Sequence, residues 1–226
     1  VKEMLATVLR HRFGAEAVLA TAGNFNNHIG LPLTLLQLNA QHRYAVIEMG
    51  MNHFGELAVL TRIAEPDVAL VNNALRAHVG CGFNGVSDIA QAKSEIYQGL
   101  NETGWAWIPA EDAQIAVFQA ATQGMNQHSF GIQQGEIHAE NVVLHPLSCE
   151  FDLVWGEQRA TVQLPVAGKH NVHNAVAAAA LAQRAGLSLS DVATGLAGFA
   201  NIKGRLQIKN GLQGATILDD TYNANP

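Results

Sequence analysis

The first two-thirds of the chain alternate between segments with helical spacing of apolar residues and short, continuous apolar runs. Residues 1–14, 34–38 and 87–100 have the helical spacing, and Ser87 or Asp88 is the candidate N-cap of the third segment. The runs that predict strands lie at residues 18–21, 43–50, 67–73, 104–110 and 127–132. This alternation predicts an α/β fold with a mostly parallel, Rossmann-like sheet and helices on both faces.

From about Glu136 the apolar positions recur with a period of two. The segments 137–145, 149–156 and 158–166 are separated by turn residues, which predicts a small antiparallel β meander. Two helices and a final strand are predicted after it, at residues 170–186, 188–199 and 214–220. The first of these helices is rich in alanine, and the second has Ser188 or Ser190 as its candidate N-cap.

The composition restricts the function classes. The 226 residues suffice for one large domain, alone or with a small appendage. Thirteen Lys and Arg against nineteen Asp and Glu argue against binding to a nucleic-acid backbone, although a local anion site remains possible. Cys81 and Cys149 are far apart, which predicts reduced thiols in a cytoplasmic protein. A secretory signal and an apolar run of membrane-spanning length are both lacking from the sequence.

Polar residues follow two of the predicted strands. Glu48 ends the run at 43–50, and Asn72 and Asn73 end the run at 67–73. In parallel sheets such strand ends face a ligand crevice at the carboxyl edge. Glu48 is therefore either a Mg²⁺ ligand or a carboxylate bonded to loop amides, and the two asparagines could simply cap their strand end.

Several other residues each have a functional and a structural interpretation. His78 and Lys93 could serve the same crevice or be ordinary structural and surface residues. The segment 170–174 could contact a base or phosphate at a helix start, or only cap that helix. Arg205 could bind a phosphate, whereas Asp219 and Asp220 could hold ribose hydroxyls or begin an Asx turn.

Taken together, seven segments resemble the Mur ligase family, in order and at about the family's spacing. They are residues 21–36, 45–57, 71–80, 92–100, 168–182, 203–208 and 219–226. The Gly- and Asn-rich loop at 23–32 is most similar to the branch of the family that adds D-alanyl-D-alanine. Seven ordered matches are far more specific than any one of them.

The resemblance implies a P-loop-type sheet and an ATP-dependent amide ligase of peptidoglycan precursor synthesis. Its substrates would be UDP-MurNAc-tripeptide and D-Ala-D-Ala, its cofactors ATP and Mg²⁺, and the intact enzyme would be a cytoplasmic monomer. A substrate carboxylate would attack the γ-phosphate to give an acyl phosphate, and the incoming amine would then displace phosphate.

The resemblance also implies roles for individual residues. Glu48, His78 and Lys93 would serve Mg²⁺, with Lys93 carbamylated in the working enzyme and unmodified in this chain alone. His170, Asn171 and Asn174 would line the adenine site, with Arg205 at the γ-phosphate and Asp220 at the ribose. Asn26 and Asn27 would contact the UDP-linked substrate. Lys93, His78 and Arg205 would form the catalytic set.

The sequence also departs from the family pattern. It opens within a helix that would follow the P-loop, and it closes on a strand end, so we expect a piece of a longer protein. Residues 1–218 would form the central ATP-binding domain, and 219–226 would begin the connection to a further domain. The chain alone is then expected to be inactive. The segment from His78 to Lys93 is about one residue longer than in the family.

Three rival functions remain open on the sequence. A sibling Mur ligase or a folylpolyglutamate synthase would share the ATPase core, but the loop at 23–32 argues against both. A non-catalytic nucleotide-binding or interaction module would tolerate the lack of a P-loop. A metal-dependent hydrolase could use Glu48 and His78, and it would turn over without ATP.

Overall fold

The computed structural model describes residues 1–76, 82–200, 207–212, 215–219 and 221. Its first part comprises α1 (Lys2–Phe13), β1 (Val18–Ala20), α2 (Gly30–Leu35), β2 (Tyr44–Val46) and α3 (Glu56–Ala64). Strands β1 and β2 pair in parallel as a two-stranded sheet. The predicted opening helix and both strands are therefore confirmed. The predicted helix at 34–38 instead begins at Gly30, because the side-chain oxygen of Asn27 accepts the backbone N–H groups of Ile29 and Gly30.

A six-stranded sheet forms the centre of the molecule. Its strands, in spatial order, are β3 (Val68–Leu70), β4 (Trp105–Pro109), β5 (Asn126–Phe130), β6 (Ile137–Leu144), β7 (Cys149–Trp155) and β8 (Gln158–Leu164). The pairs from β3 to β6 are parallel, and those from β6 to β8 are antiparallel. The predicted α/β class and the predicted meander are thus both confirmed. The meander extends the main sheet, since Phe130 of β5 pairs with Ile137 of β6.

The remaining helices pack around these strands. They are α4 (Val86–Ser94), followed by the 3₁₀ helix Glu95–Gly99, then α5 (Ile115–Ala121), α6 (Lys169–Gln183) and α7 (Leu189–Ala197). The predicted cap Ser188 is confirmed by a reciprocal capping box with Asp191. The predicted cap Ser87 or Asp88 is wrong: α4 begins after Gly85, and Asp88 accepts the backbone N–H of Asn84. The last two strands, β9 (Gln207–Asn210) and β10 (Thr216–Asp219), pair as an antiparallel hairpin.

Two apolar layers lie on opposite faces of β3 and β4. Val68 and Leu70 face the layer built with α1, α6, α7 and the meander, whereas Ala69 faces the layer built with α2 to α5. The same alternation places Trp107 in the first layer and Ile108 in the second. Side chains that alternate along each strand therefore produce the helix–sheet–helix arrangement expected of a doubly covered parallel sheet.

In the part of the chain that the structure describes, no helix is long and apolar enough to cross a membrane.

Candidate functional site

The end of β2 brings Glu48 and Asn26 together. The backbone N–H of Thr21 donates to the carbonyl of Val46, and the backbone N–H of Glu48 donates to Oγ1 of Thr21, so β1 fixes where the carboxylate emerges. The side-chain amide of Asn26 donates to Oε1 of Glu48 over 2.9 Å. Within the described residues Oε2 of Glu48 accepts no hydrogen bond. One carboxylate oxygen is thus held by a loop amide, and the other remains available.

Asn26 and Asn27, the predicted substrate contacts in the loop at 23–32, have different roles in the structure. The side chain of Asn26 lies against Glu48, and the backbone carbonyl of Asn26 accepts the backbone N–H of Gly50 over 2.8 Å. Asn27 organises the start of α2 with its side-chain oxygen. Asn26 therefore faces the strand-end site, whereas the side-chain oxygen of Asn27 is engaged by the backbone.

The end of β3 meets both α4 and α6. Nζ of Lys93 donates to the carbonyl of Asn73 over 2.6 Å. The side-chain amide of Asn72 donates to Oδ1 of Asn174 over 3.0 Å, and Nε2 of His173 lies 3.0 Å from the carbonyl of Asn72. The predicted site residues Lys93 and Asn174 are therefore brought to one strand end, on either side of it.

The surroundings of Lys93 favour its neutral amine. Burial is the main influence and lowers the pKa of its ammonium, while the negative charge of Asp112 acts in the opposite direction. A partly buried lysine of lowered pKa supplies more neutral amine at a given pH than a solvated one does. A larger fraction of this amine is therefore in the neutral form, which is the form that can react with CO₂.

The start of α6 presents His170 and Asn171 beside Gly168. Gly168 has a φ of 98°, a left-handed conformation that favours glycine, and the His170 ring covers the place where a Cβ atom would project. The side-chain amide of Asn171 donates to the carbonyl of Ala167 over 2.7 Å. Asn171 therefore stabilises the turn into the helix, and His170 is exposed beside it.

A cavity of 610 Å³ opens near this helix start. It is lined by residues of β6, by the preceding loop and by Lys169, including Ile132, Gln133 and His138. The predicted site residues are not among those that line it, although Lys169 directly precedes His170. The predicted site is consequently a set of strand ends and a helix start rather than this cavity.

Three predicted site residues, His78, Arg205 and Asp220, lie outside the described residues. Among the described residues, no group of three or more His, Cys, Asp or Glu side chains could hold a metal ion. Asp219 is described, and its side chain accepts the backbone N–H and the hydroxyl of Thr221. The Asx turn considered for this position is therefore present.

Two residues of the site were not assigned a role from the sequence. His173 contacts Asn72, and Asp112 accepts the backbone N–H of Ala74 over 2.7 Å. His173 lies within the polar segment 170–174 that opens α6, so its position was visible. Asp112 follows a predicted strand, as Glu48 does, and the strand-end rule applied to it would have found it.

The sequence as a whole also matches a known protein family. A family model described as the Mur ligase middle domain matches residues 1–182. The chain belongs to the Mur ligase family. It is 42% identical, over its whole length, to the UDP-N-acetylmuramoyl-tripeptide–D-alanyl-D-alanine ligase of Haemophilus influenzae, of which it covers 49%.

Solved Mur ligase structures share the fold. The crystal structure of MurF from Acinetobacter baumannii matches with a TM-score of 0.93 and 40% identity, over 99% of this chain and 48% of that one. MurF ligase from Thermotoga maritima, solved in complex with ADP, matches with a TM-score of 0.84 and 27% identity, over 99% and 50% of the two chains. The chain spans about half the length of the Mur ligases that it matches.

Proposed function

We propose that the protein containing this chain joins D-alanyl-D-alanine to UDP-MurNAc-tripeptide at the expense of ATP. The observation that carries the proposal is the 42% identity, across the whole chain, to a ligase named for that reaction. The Gly- and Asn-rich loop at 23–32 supports the same branch of the family. We further propose that the enzyme acts in the cytoplasm as a monomer.

Glu48 is the proposed Mg²⁺ ligand. Its Oε2 atom accepts no hydrogen bond from the described residues, and carboxylate oxygens are ligands that a hard cation such as Mg²⁺ prefers, together with phosphate oxygens. Bound Mg²⁺ would neutralise charge on the transferred phosphoryl group. Asn26 would hold the Glu48 carboxylate in one orientation, which makes Asn26 a positioning residue as well as a proposed contact, with Asn27, for the UDP-linked substrate.

Lys93 is proposed to act as a carbamate. Its neutral amine would attack CO₂, forming the N–C bond and releasing one proton, and the product would be an anionic oxygen ligand beside His78. The lowered pKa of Lys93 supports the first step, because the reaction requires the neutral amine. The hydrogen bond to the carbonyl of Asn73 is made by the amine form, and it would have to rearrange on carbamylation.

The start of α6 is the proposed nucleotide site. His170, Asn171 and Asn174 lie in its first turns, and their polar side chains would line the adenine site. Arg205 would reach the γ-phosphate, and Asp220 would hold the ribose. Asn174 is already tied to Asn72 at the end of β3, so the nucleotide and Lys93 would meet across this strand end.

The proposed reaction has two steps. A carboxylate oxygen of the tripeptide attacks the γ-phosphorus, and the bond from that phosphorus to ADP breaks. The amine of D-alanyl-D-alanine then attacks the acyl carbon, the bond to phosphate breaks, and the amine loses a proton. The protein's contribution would be charge stabilisation and positioning.

The full-length protein tests this function. With ATP, UDP-MurNAc-tripeptide and D-Ala-D-Ala we expect amide product, ADP and phosphate in equal amounts. The control replaces the dipeptide with single amino acids, which should give no product. Product from a single amino acid, or ATP hydrolysis without any amide product, would refute the proposal.

A further inference from the structure

Three consecutive residues at the end of β3 are held by three different elements. Asn72 bonds to α6, the carbonyl of Asn73 accepts the Nζ donor of Lys93 from α4, and the backbone N–H of Ala74 donates to Asp112. Residues 72–74 therefore connect the proposed nucleotide helix, α6, to Lys93.

Asp112 divides its two carboxylate oxygens between two tasks. Oδ1 accepts the backbone N–H of Gln114 over 2.8 Å, which forms the turn that leads into α5. Oδ2 accepts the backbone N–H of Ala74 over 2.7 Å, across 38 positions of sequence. The second bond contributes nothing to the turn, and its effect falls on the end of β3.

Asp112 thus fixes the backbone N–H of Ala74, the residue that directly follows the carbonyl acceptor of Lys93.

We infer that Asp112 is a positioning residue for Lys93: by holding the N–H of Ala74 it keeps the carbonyl of Asn73 at the Lys93 amine. The catalytic consequence rests on the proposed ligase function. The positioning itself does not, because it concerns contacts within this chain.

One substitution separates the two tasks of Asp112. Asp112→Ser retains a hydroxyl that can accept from Gln114 in an ST turn, but it is too short to reach Ala74 as well. The matched control is Asp191→Asn, which removes a carboxylate that caps α7, a helix packed on α1 and β8.

The decisive readout is the labelling rate of Lys93 by an amine-reactive reagent, followed by mass spectrometry of the full-length protein in CO₂-free buffer. The rate is measured across the titration of the amine. A change of charge alone shifts this curve along the pH axis, whereas loss of the contact with Asn73 raises its plateau at high pH. We expect the plateau to rise about fivefold in Asp112→Ser and to stay unchanged in Asp191→Asn.

Turnover provides the second readout. We expect kcat of the full-length enzyme to fall roughly ten- to a hundredfold in Asp112→Ser and less than about twofold in Asp191→Asn. A labelling plateau in Asp112→Ser equal to that of the control overturns the inference, whatever happens to kcat. If the wild-type full-length protein has no ligase activity but the plateau is raised in Asp112→Ser, the positioning role is supported and the proposed function is refuted.

Discussion

Lys93 is the residue whose charge the proposed carbamate would invert. As an amine it donates to the carbonyl of Asn73, and as a carbamate it would present two anionic oxygens. The two states have opposite charges, so one substitution can distinguish a cationic role from a ligand role.

We therefore expect Lys93→Ala and Lys93→Arg to be nearly inactive in the full-length enzyme, although arginine keeps the positive charge. Short-chain carboxylates added to Lys93→Ala should restore part of the activity by supplying the missing oxygens, and they should leave the wild type unchanged. Steady-state rates of phosphate release measure this. Full activity of Lys93→Arg would establish the cationic role and exclude the carbamate.

Glu48 tests the proposed metal site. Glu48→Gln keeps the shape and the bond from Asn26 but removes a charge, so we expect a higher Mg²⁺ requirement and a lower kcat with an unchanged melting temperature. A Mg²⁺ titration of turnover measures this, with the exposed Glu102→Gln as the control. A titration curve identical to that of wild type would remove Glu48 from the metal site.

The site could be predicted from sequence only in part. Strand-end logic singled out Glu48, Asn72 and Asn73, and the structure places all three at strand ends. The sequence could not separate the two interpretations of Glu48, because the bond from Asn26 depends on a loop conformation. The strand-end rule would have brought Asp112 to this edge of the sheet, but its contact with Ala74, across 38 positions, could not be predicted from local sequence.

At the scale of elements, segments with strong periodicity were predicted best. All three meander strands and α6 have clear patterns, and each was found close to its predicted place. The helices α3 and α5 were not predicted. Helix α5 buries only Phe118, so the apolar stripe that identifies a helix is weak there. Helix α3 has a clear stripe, with Leu57 and Leu60 buried one turn apart, and it could have been predicted from its sequence.

The 3₁₀ helix Glu95–Gly99 ties α4 to α3, and this contact leaves no room for a side chain at Gly99. A methyl group added there would overlap the backbone carbonyl and side chain of Thr61, whose hydroxyl donates to the carbonyl of Ile96 over 2.6 Å. The close approach, rather than a left-handed conformation, requires glycine at this position.

Gly99→Ala should accordingly destabilise the protein by roughly 1–3 kcal/mol, as expected for overpacking against a backbone. The matched control is Gly198→Ala, where the nearest neighbour of an added Cβ, the carbonyl of Gly195, would be 3.5 Å away. Denaturant unfolding curves measure both changes. Equal stability of the two variants would show that the contact between the 3₁₀ helix and α3 adapts easily.

At the scale of the whole molecule, the candidate site joins the two apolar layers. Lys93 belongs to α4 on one face of the sheet, and Asn174 belongs to α6 on the other. Both reach the end of β3, which pairs in parallel with β4. We therefore expect a ligand held by one layer to affect the other through Asn72 and Asn73.

Hydrogen exchange of the full-length protein tests this connection. We expect ADP to slow amide exchange at the start of α6 and also at residues 72–74, because Asn174 and His173 both bond to Asn72. The segment 121–125, which precedes β5 at the opposite edge of the sheet, serves as the internal control and should be unaffected. In Asn72→Ala, saturating ADP should still protect α6 but should protect residues 72–74 less than in the wild type, because the side-chain bond to Asn174 is lost while the backbone carbonyl of residue 72 can still contact His173. Protection confined to α6 in the wild type would mean that the two layers respond independently, and the strand end would then be a scaffold rather than a connection.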